Sequence, residues 1–288
     1  MRITKAPGWA LPPLLLSLAA VTQAATAADL EEIRERGSIR IAVANEVPYG
    51  YLDEDGEGRG AGPEVARHLV DELGIERIEW VATDFGDLIP GLREGRFDMA
   101  AAEMAILPER CESILYSEPN TTYGEGLLVA AGNPLELQAY DDFAGRNDYR
   151  VAVMGGADQR EILMALGVAE EKIVAIARNE EAIEVIAAGD ADAYAATGLT
   201  VTALDQRSQA VEAALDFVDP RVDGEEVRSW GGFAFGPEAE ALRDGVNEVL
   251  AAYKTTNAWE QTLTEHGFTQ EDVLNSFKYS TEQLCRRD

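Results

Sequence analysis

Residues 89–103 read IPGLREGRFDMAAAE and residues 183–197 read IEVIAAGDADAYAAT, one unit written twice. In each, an isoleucine stands six residues before a glycine and Leu92 or Ile186 stands three before it. Asp98 or Asp192 follows three after it and opens an apolar run. Gly95 and Gly189 sit where a helix ends in a left-handed residue, a conformation glycine adopts without steric cost. A repeated helix–turn–strand unit confines the chain to an alternating α/β architecture; chance similarity between two such units is the competing explanation. Ile39-Arg40-Ile41-Ala42-Val43-Ala44, Ile78-Glu79-Trp80-Val81 and Val151-Ala152-Val153-Met154 read as further strands. Pro63 opens a helix with Val65, Leu69, Val70 and Leu73 on one face and Gly74 closing it. The glycine-rich run GEGRGAG (56–62) lacks the downstream acid of a dinucleotide loop and reads as a hairpin turn. The expected fold is α/β and two-lobed, each lobe a mostly parallel sheet flanked by helices. Two crossovers near 121–129 and 229–235 join a first lobe (28–124 and 232–288) to a second (125–231).

The N-terminus gives the compartment. Arg2 and Lys5 precede a short apolar run, Leu11 to Val21, and Ala25-Thr26-Ala27 offers a small-x-small cleavage site. The run falls well short of the roughly 20 residues that span a bilayer, so residues 1–27 read as a cleaved signal peptide rather than an anchor. No cysteine follows the run, and the mature chain is expected free in the periplasm, as a monomer. With 53 acidic against 24 basic residues the chain carries a net charge of −29. Such a field repels nucleic acid and anionic lipid and keeps the protein dissolved, but it says little about a small ligand. Two cysteines in an oxidising compartment favour a Cys111–Cys285 disulfide that ties the tail to the body; two buried thiols are the alternative.

Ligands of such sheets bind beyond the carboxyl ends of the strands. Glu46 and Tyr49 follow the first strand, Phe85 the second, and Glu103 to Arg110 the third; Gly155 to Asp158 and Thr197 hold the matching places in the other lobe. Arg110 reads either as a surface cation among many acids or as a bidentate clamp for a carboxylate. Tyr49 and Phe85 read as core rings, or as faces against a flat or cationic ligand. Glu46 suits a cationic N–H pair. Gly156, Ala157 and Asp158 open a helix whose backbone N–H groups suit an anion. Catalysis finds little support. His68 is placed mid-helix, His266 lies in the C-terminal helical region, and no nucleophile elbow, phosphate loop or zinc-binding H-E-x-x-H occurs. Neither a metal nor a cofactor is expected.

Several stretches resemble the polar amino-acid type (family 3) of solute-binding protein that feeds an ABC importer. They are Leu30 to Ile33, Pro48-Tyr49-Gly50-Tyr51, Leu88 to Leu92 with Gly95 to Asp98, Pro108-Glu109-Arg110, Tyr116 to Pro119, Trp230 to Phe235 and Leu242 to Asn247. Within it, Ala44 to Tyr51, Gly60 to Ala66, Ile106 to Cys111 and Asp192 to Leu199 look most like the ectoine/hydroxyectoine-binding branch. Ordinary amino-acid binders carry a threonine where this chain has Leu107, and an ammonium-binding aspartate where it has Thr197. Losing that aspartate suits a ring whose charge is spread over an amidinium. The resemblance implies a two-lobed protein that closes on a small zwitterion and delivers it to a membrane permease. Arg110 would take the carboxylate, Glu46 the amidinium, and Tyr49 and Phe85 the cationic face. One departure is Ala105, where the branch carries a third aromatic; Trp230, at the crossover, is the ring expected to fill that place. The alternatives are another compatible solute or a cationic amino acid, or an enzyme on the same fold such as a periplasmic dehydratase.

Overall fold

The structure, a computed structural model, describes Met1 and residues 30–145 and 148–286. Apart from Met1, the expected signal peptide lies outside the described residues, among which no helix is long and apolar enough to cross a membrane.

Two separate sheets carry the fold. In the first, the order is Arg77–Ala82, Ser38–Val43, Met99–Ala105 and Ser229–Phe235, with Leu115–Tyr116 and Thr121–Tyr123 both pairing with Ser229–Phe235. In the second, the order is Ile173–Ile176, Val151–Met154, Ala193–Thr197, Glu125–Ala130 and Val211–Ala213. The first three strands of each list run parallel, and the fourth is antiparallel to them. The sheets therefore share one topology, and the antiparallel strands are the two that lead the chain between them. Thr121–Tyr123 pairs with Ser229–Gly231, so the outgoing and returning segments lie side by side. Only Gly124 separates the outgoing strand from Glu125, the first residue in the second sheet.

The sequence echo has a common physical cause. Asp98 and Asp192 each begin a central strand and accept the backbone N–H of the neighbouring parallel strand, from Arg40 at 2.8 Å and Arg150 at 2.7 Å. Each aspartate N–H donates back to the same arginine's carbonyl, at 2.9 and 2.8 Å. Each arginine side chain also donates to the glycine that ends the preceding helix, Arg40 to Gly95 O (2.8 Å) and Arg150 to Gly189 O (3.0 Å). Both glycines have left-handed φ, 66° and 74°. The repeated spacing thus encodes a clasp between turn, strand and neighbouring strand.

The two clasps differ in burial. Asp98, with a side chain only 1% exposed, also forms ion pairs with Arg36 (2.6 Å) and Arg40 (2.7 Å). Asp192 is half-buried. Asp98→Asn is expected to cost about 1.5–3 kcal/mol, the range for hydrogen bonds to charged partners, and Asp192→Asn no more than about 1 kcal/mol. Urea unfolding of both variants checks this; a larger loss at position 192 would contradict it.

Apolar side chains on both faces of each sheet form the cores. Ile39, Ile41 and Met99 pack with Val65, Leu69 and Val70 of the helix Ala61–Glu72, while Ala42, Ala100 and Ala102 lie in a cluster with Leu88 and Leu92. Tyr51–Leu52 and Gly58–Arg59 form a hairpin whose turn is residues 53–57, so of the run 56–62 only Gly56 and Glu57 lie in the turn. Gly58 and Arg59 pair as a strand, and the helix behind starts at Ala61, two residues before Pro63, whose missing N–H costs nothing in a first turn. At the C-terminus Cys111 and Cys285 form the disulfide, with Cα atoms 5.8 Å apart.

Candidate functional site

The carboxyl ends of the parallel strands of both sheets converge on one cavity. Of the residues singled out in the sequence, Glu46, Tyr49, Phe85, Ala105, Ala157, Asp158 and Thr197 line it. Arg110 borders it: its Nη1 donates to Ala105 O at 3.0 Å and its Nη2 to Gly156 O at 2.9 Å. The guanidinium lies 5.8 Å from the centre of the Phe85 ring and is 7% exposed.

Glu46 reaches the cavity from a tight turn, in which Glu46 and Gly50 exchange both backbone hydrogen bonds, at 3.0 and 2.8 Å. Gly50 is dictated by the approach of the next strand, because a Cβ there would sit 2.3 Å from the Ala101 carbonyl. Across the cavity, Thr197 caps the helix Gly198–Asp205. A chain of hydroxyls then joins the two sheets. Tyr49 donates to Thr197 (2.8 Å), Thr197 to Thr200 (3.0 Å), and Thr200 to Glu46 Oε1 (2.7 Å). Every donor in the chain points toward the carboxyl group. Burial nonetheless pushes Glu46 up to about 7, with the Thr200 and Asn179 donors opposing and the charges of Asp158 and Glu180 adding to the rise. Asp158 accepts from Ser229, on the returning strand, at 3.1 Å. Arg110–Gly156, Thr200–Glu46, Tyr49–Thr197 and Asp158–Ser229 all tie residues of one sheet region to the other.

Two expectations are adjusted. The turn at 155–158 offers fewer donors than a helix opening suggests, since Gly155 N donates to Ile176 O (2.9 Å) and Ala157 N to Met154 O (3.1 Å). What Gly156 supplies to the site is its carbonyl, which holds Arg110. Trp230 is not brought to the cavity. Its Nε1 donates to Asn275 O at 2.9 Å and its ring packs edge-on against Tyr279, 4.9 Å away. Successive side chains of a strand point to opposite faces: Ser229 meets Asp158 on the cavity side and Gly231 abuts Glu103, so Trp230 between them turns toward the C-terminal tail.

Tyr123 and Tyr194 instead complete a wall of four rings with Tyr49 and Phe85. Tyr194 and Ala196 share a face by the two-residue period, a signal the sequence contains. Tyr123 precedes Gly124 at the crossing and stacks edge-on with Tyr49 at 5.2 Å. Met154, Gln159, Ala102 and Glu103 also line the cavity. Gln159 is held by Glu125, whose carboxyl is buried and pushed upward by that burial and by the nearby charge of Asp158.

Arranged this way, the cavity has a buried cation at one border, carboxyl groups in its wall and aromatic faces between them. That arrangement presents both signs of charge at one cavity. Its lining includes no serine, cysteine or histidine, and among the described residues no group of three or more histidine, cysteine, aspartate or glutamate side chains is placed to hold a metal ion.

Residues 39–269 match the bacterial extracellular solute-binding proteins, family 3. A probable amino-acid ABC transporter periplasmic-binding protein of Sinorhizobium fredii is 47% identical over 272 residues, 94% of this chain and 90% of that protein. Among solved structures, the complex of EhuB with hydroxyectoine superposes with a TM-score of 0.81 at 30% identity, covering 90% of this chain and 98% of that one. The ancestral amino acid-binding protein AncCDT-1, a precursor of cyclohexadienyl dehydratase, superposes with a TM-score of 0.70 at 26% identity, covering 82% and 98%. With the match running through both sheets and the relative aligned along nearly its whole length, the chain belongs to the bacterial extracellular solute-binding proteins, family 3.

Proposed function

We propose that the protein is the substrate-binding component of an amino-acid-type ABC importer and captures ectoine or hydroxyectoine in the cavity between its two sheets. The observation that carries this reading is the pairing of one buried guanidinium, Arg110, with a buried carboxyl, Glu46, around four aromatic rings. Arg110 takes the solute's carboxylate. Glu46 takes N–H of its amidinium, and Tyr49, Phe85, Tyr123 and Tyr194 enclose the ring. Thr197 supports this assignment because its hydroxyl is committed to the relay that orients donors toward Glu46. The 30% identity to a hydroxyectoine-binding protein over nearly all of that chain supports it as well. The exported protein, its signal peptide removed, works outside the inner membrane as a monomer. The two lobes, one carried by each sheet, with the strand Ser229–Phe235 in the first, close on the solute about their two crossing segments, and a permease receives it.

The reading predicts a pH dependence. Glu46 must be ionised to bind a cation, and its folded-state value is about 7. The ionised fraction therefore falls about tenfold between pH 8 and pH 6. Affinity for ectoine is expected to rise with pH, with Glu46 contributing up to about tenfold across that window, while the solute stays zwitterionic throughout. Calorimetric titration with ectoine at both pH values tests it; affinity that is flat, or that rises toward pH 6, would contradict the role of Glu46.

A further inference from the structure

Glu103 has no part in the reading above, yet it lines the same cavity and is 2% exposed. Its backbone has φ +49°, the left-handed region that favours glycine, in the middle of the strand Met99–Ala105. The departure breaks the strand's alternation, so that Ala102, Glu103 and Ala105 all line the cavity. The carboxyl is held on both oxygens, Oε1 by Asn120 Nδ2 and Oε2 by the Thr121 hydroxyl, each at 2.7 Å. Asn120 is itself fixed by the Trp259 indole N–H at 2.8 Å. The Glu103 carbonyl accepts from Tyr123 at 2.8 Å. Each carboxylate oxygen keeps a second acceptor site.

Bracing the crossing strand does not need a charge, and an amide of the same shape would accept and donate at less desolvation cost. A buried carboxyl with only neutral hydrogen-bond donors is a place where a ligand donor or cation restores the balance. The solute's chemistry asks for such a place. In a six-membered cyclic amidinium substituted at the carbon between its nitrogens, the two N–H bonds diverge to either side of the substituent. One carboxylate cannot take both.

Resting on the reading of the ligand as a cyclic amidinium zwitterion, we propose that Glu103 is a second anionic contact. It accepts the N–H that Glu46 cannot reach, and it selects solutes with two divergent N–H donors over those with one or none. The charge of Lys254 favours the carboxylate, and the other titratable groups around the same cavity are Glu46, Asp158 and the phenols of Tyr49, Tyr123 and Tyr194. Burial raises Glu103 to about 7, against the pull of Thr121, Asn120 and Lys254, so it titrates beside Glu46.

Calorimetry with ectoine at pH 8 and pH 6 on the wild type, Glu103→Gln and Thr121→Val tests the proposal. At pH 8, Glu103→Gln is expected to weaken binding roughly ten- to a hundredfold. Two titrating contacts make the wild type about a hundredfold weaker at pH 6 than at pH 8, and Glu103→Gln reduces that ratio to about tenfold. Thr121 braces the same carboxyl without lining the cavity, so Thr121→Val keeps the steep ratio. Wild-type affinity and slope in Glu103→Gln would overturn the proposal, as would a Thr121→Val variant that reproduces every loss. Should Glu103→Gln not fold, titration of the wild type at pH 7 in buffers of different ionisation enthalpy decides. About one proton released supports two contacts, and about half a proton leaves Glu46 alone. A wild type that binds neither ectoine nor hydroxyectoine removes the ligand reading and this proposal together. Normal wild-type binding with an unaffected Glu103→Gln removes only this proposal.

Discussion

Replacing Cys111 and Cys285 by serine is expected to lower the unfolding free energy by up to about 5 kcal/mol, the largest effect of any change considered. The bridge closes a loop of 174 residues, and the chain-entropy account of cross-links grows with the logarithm of that length. Cys111 ends the short helix that carries Arg110, and Cys285 follows the last described helix, Thr281–Leu284. The tail has other anchors that soften the loss, among them Thr281 to Ser117 O at 2.5 Å and Trp230 to Asn275 O at 2.9 Å. For a chain of this size a full loss corresponds to a melting temperature lower by roughly 10–20 °C. Thermal unfolding of the double variant, and of the wild type with and without reductant, measures it. A double variant that melts within about 2 °C of the oxidised wild type would contradict the account.

The second large effect is at Arg110. Arg110→Ala is expected to weaken solute binding by about 2–5 kcal/mol, roughly thirty- to several-thousandfold, because the solute's carboxylate would be buried without a partner. Arg110→Lys keeps the charge and loses the fork, and about 1.5–3 kcal/mol goes with it. The guanidinium also donates to the carbonyls of Ala105 and Gly156, so each variant needs a circular dichroism spectrum and a melting curve first. Calorimetry on folded protein then decides. Wild-type affinity in folded Arg110→Ala would remove Arg110 from the site.

How far the sequence carries the architecture follows from what kind of interaction each feature uses. The two-lobed α/β plan is legible because the clasp of Asp98 with Arg40 and Gly95, and of Asp192 with Arg150 and Gly189, acts between residues with fixed local spacing. That Glu46, Tyr49 and Phe85 come together around one cavity is legible because they follow strand ends, where such sheets leave a crevice. Tyr123 is not, since its place in the wall depends on where the chain leaves the first sheet, which only the pairing with Ser229–Gly231 determines. Trp230 misleads for the same reason: one step of strand alternation decides between cavity and tail. That Glu103 stands near the end of the third strand is legible, but its face is not, because a left-handed glutamate inside a strand breaks the alternation that would otherwise assign it. The relay from Tyr49 to Glu46 joins residues more than 140 positions apart and leaves no periodic trace.

The central claim is that a buried arginine and buried carboxyls around four rings select a cyclic zwitterion. Calorimetric titration of the purified mature protein at pH 8 with ectoine, hydroxyectoine, glycine betaine, proline and the common amino acids tests it most directly. The account predicts saturable binding of ectoine or hydroxyectoine, tighter than any other member of the panel. Preferential binding of a primary amino acid, with both ectoines silent, would contradict it.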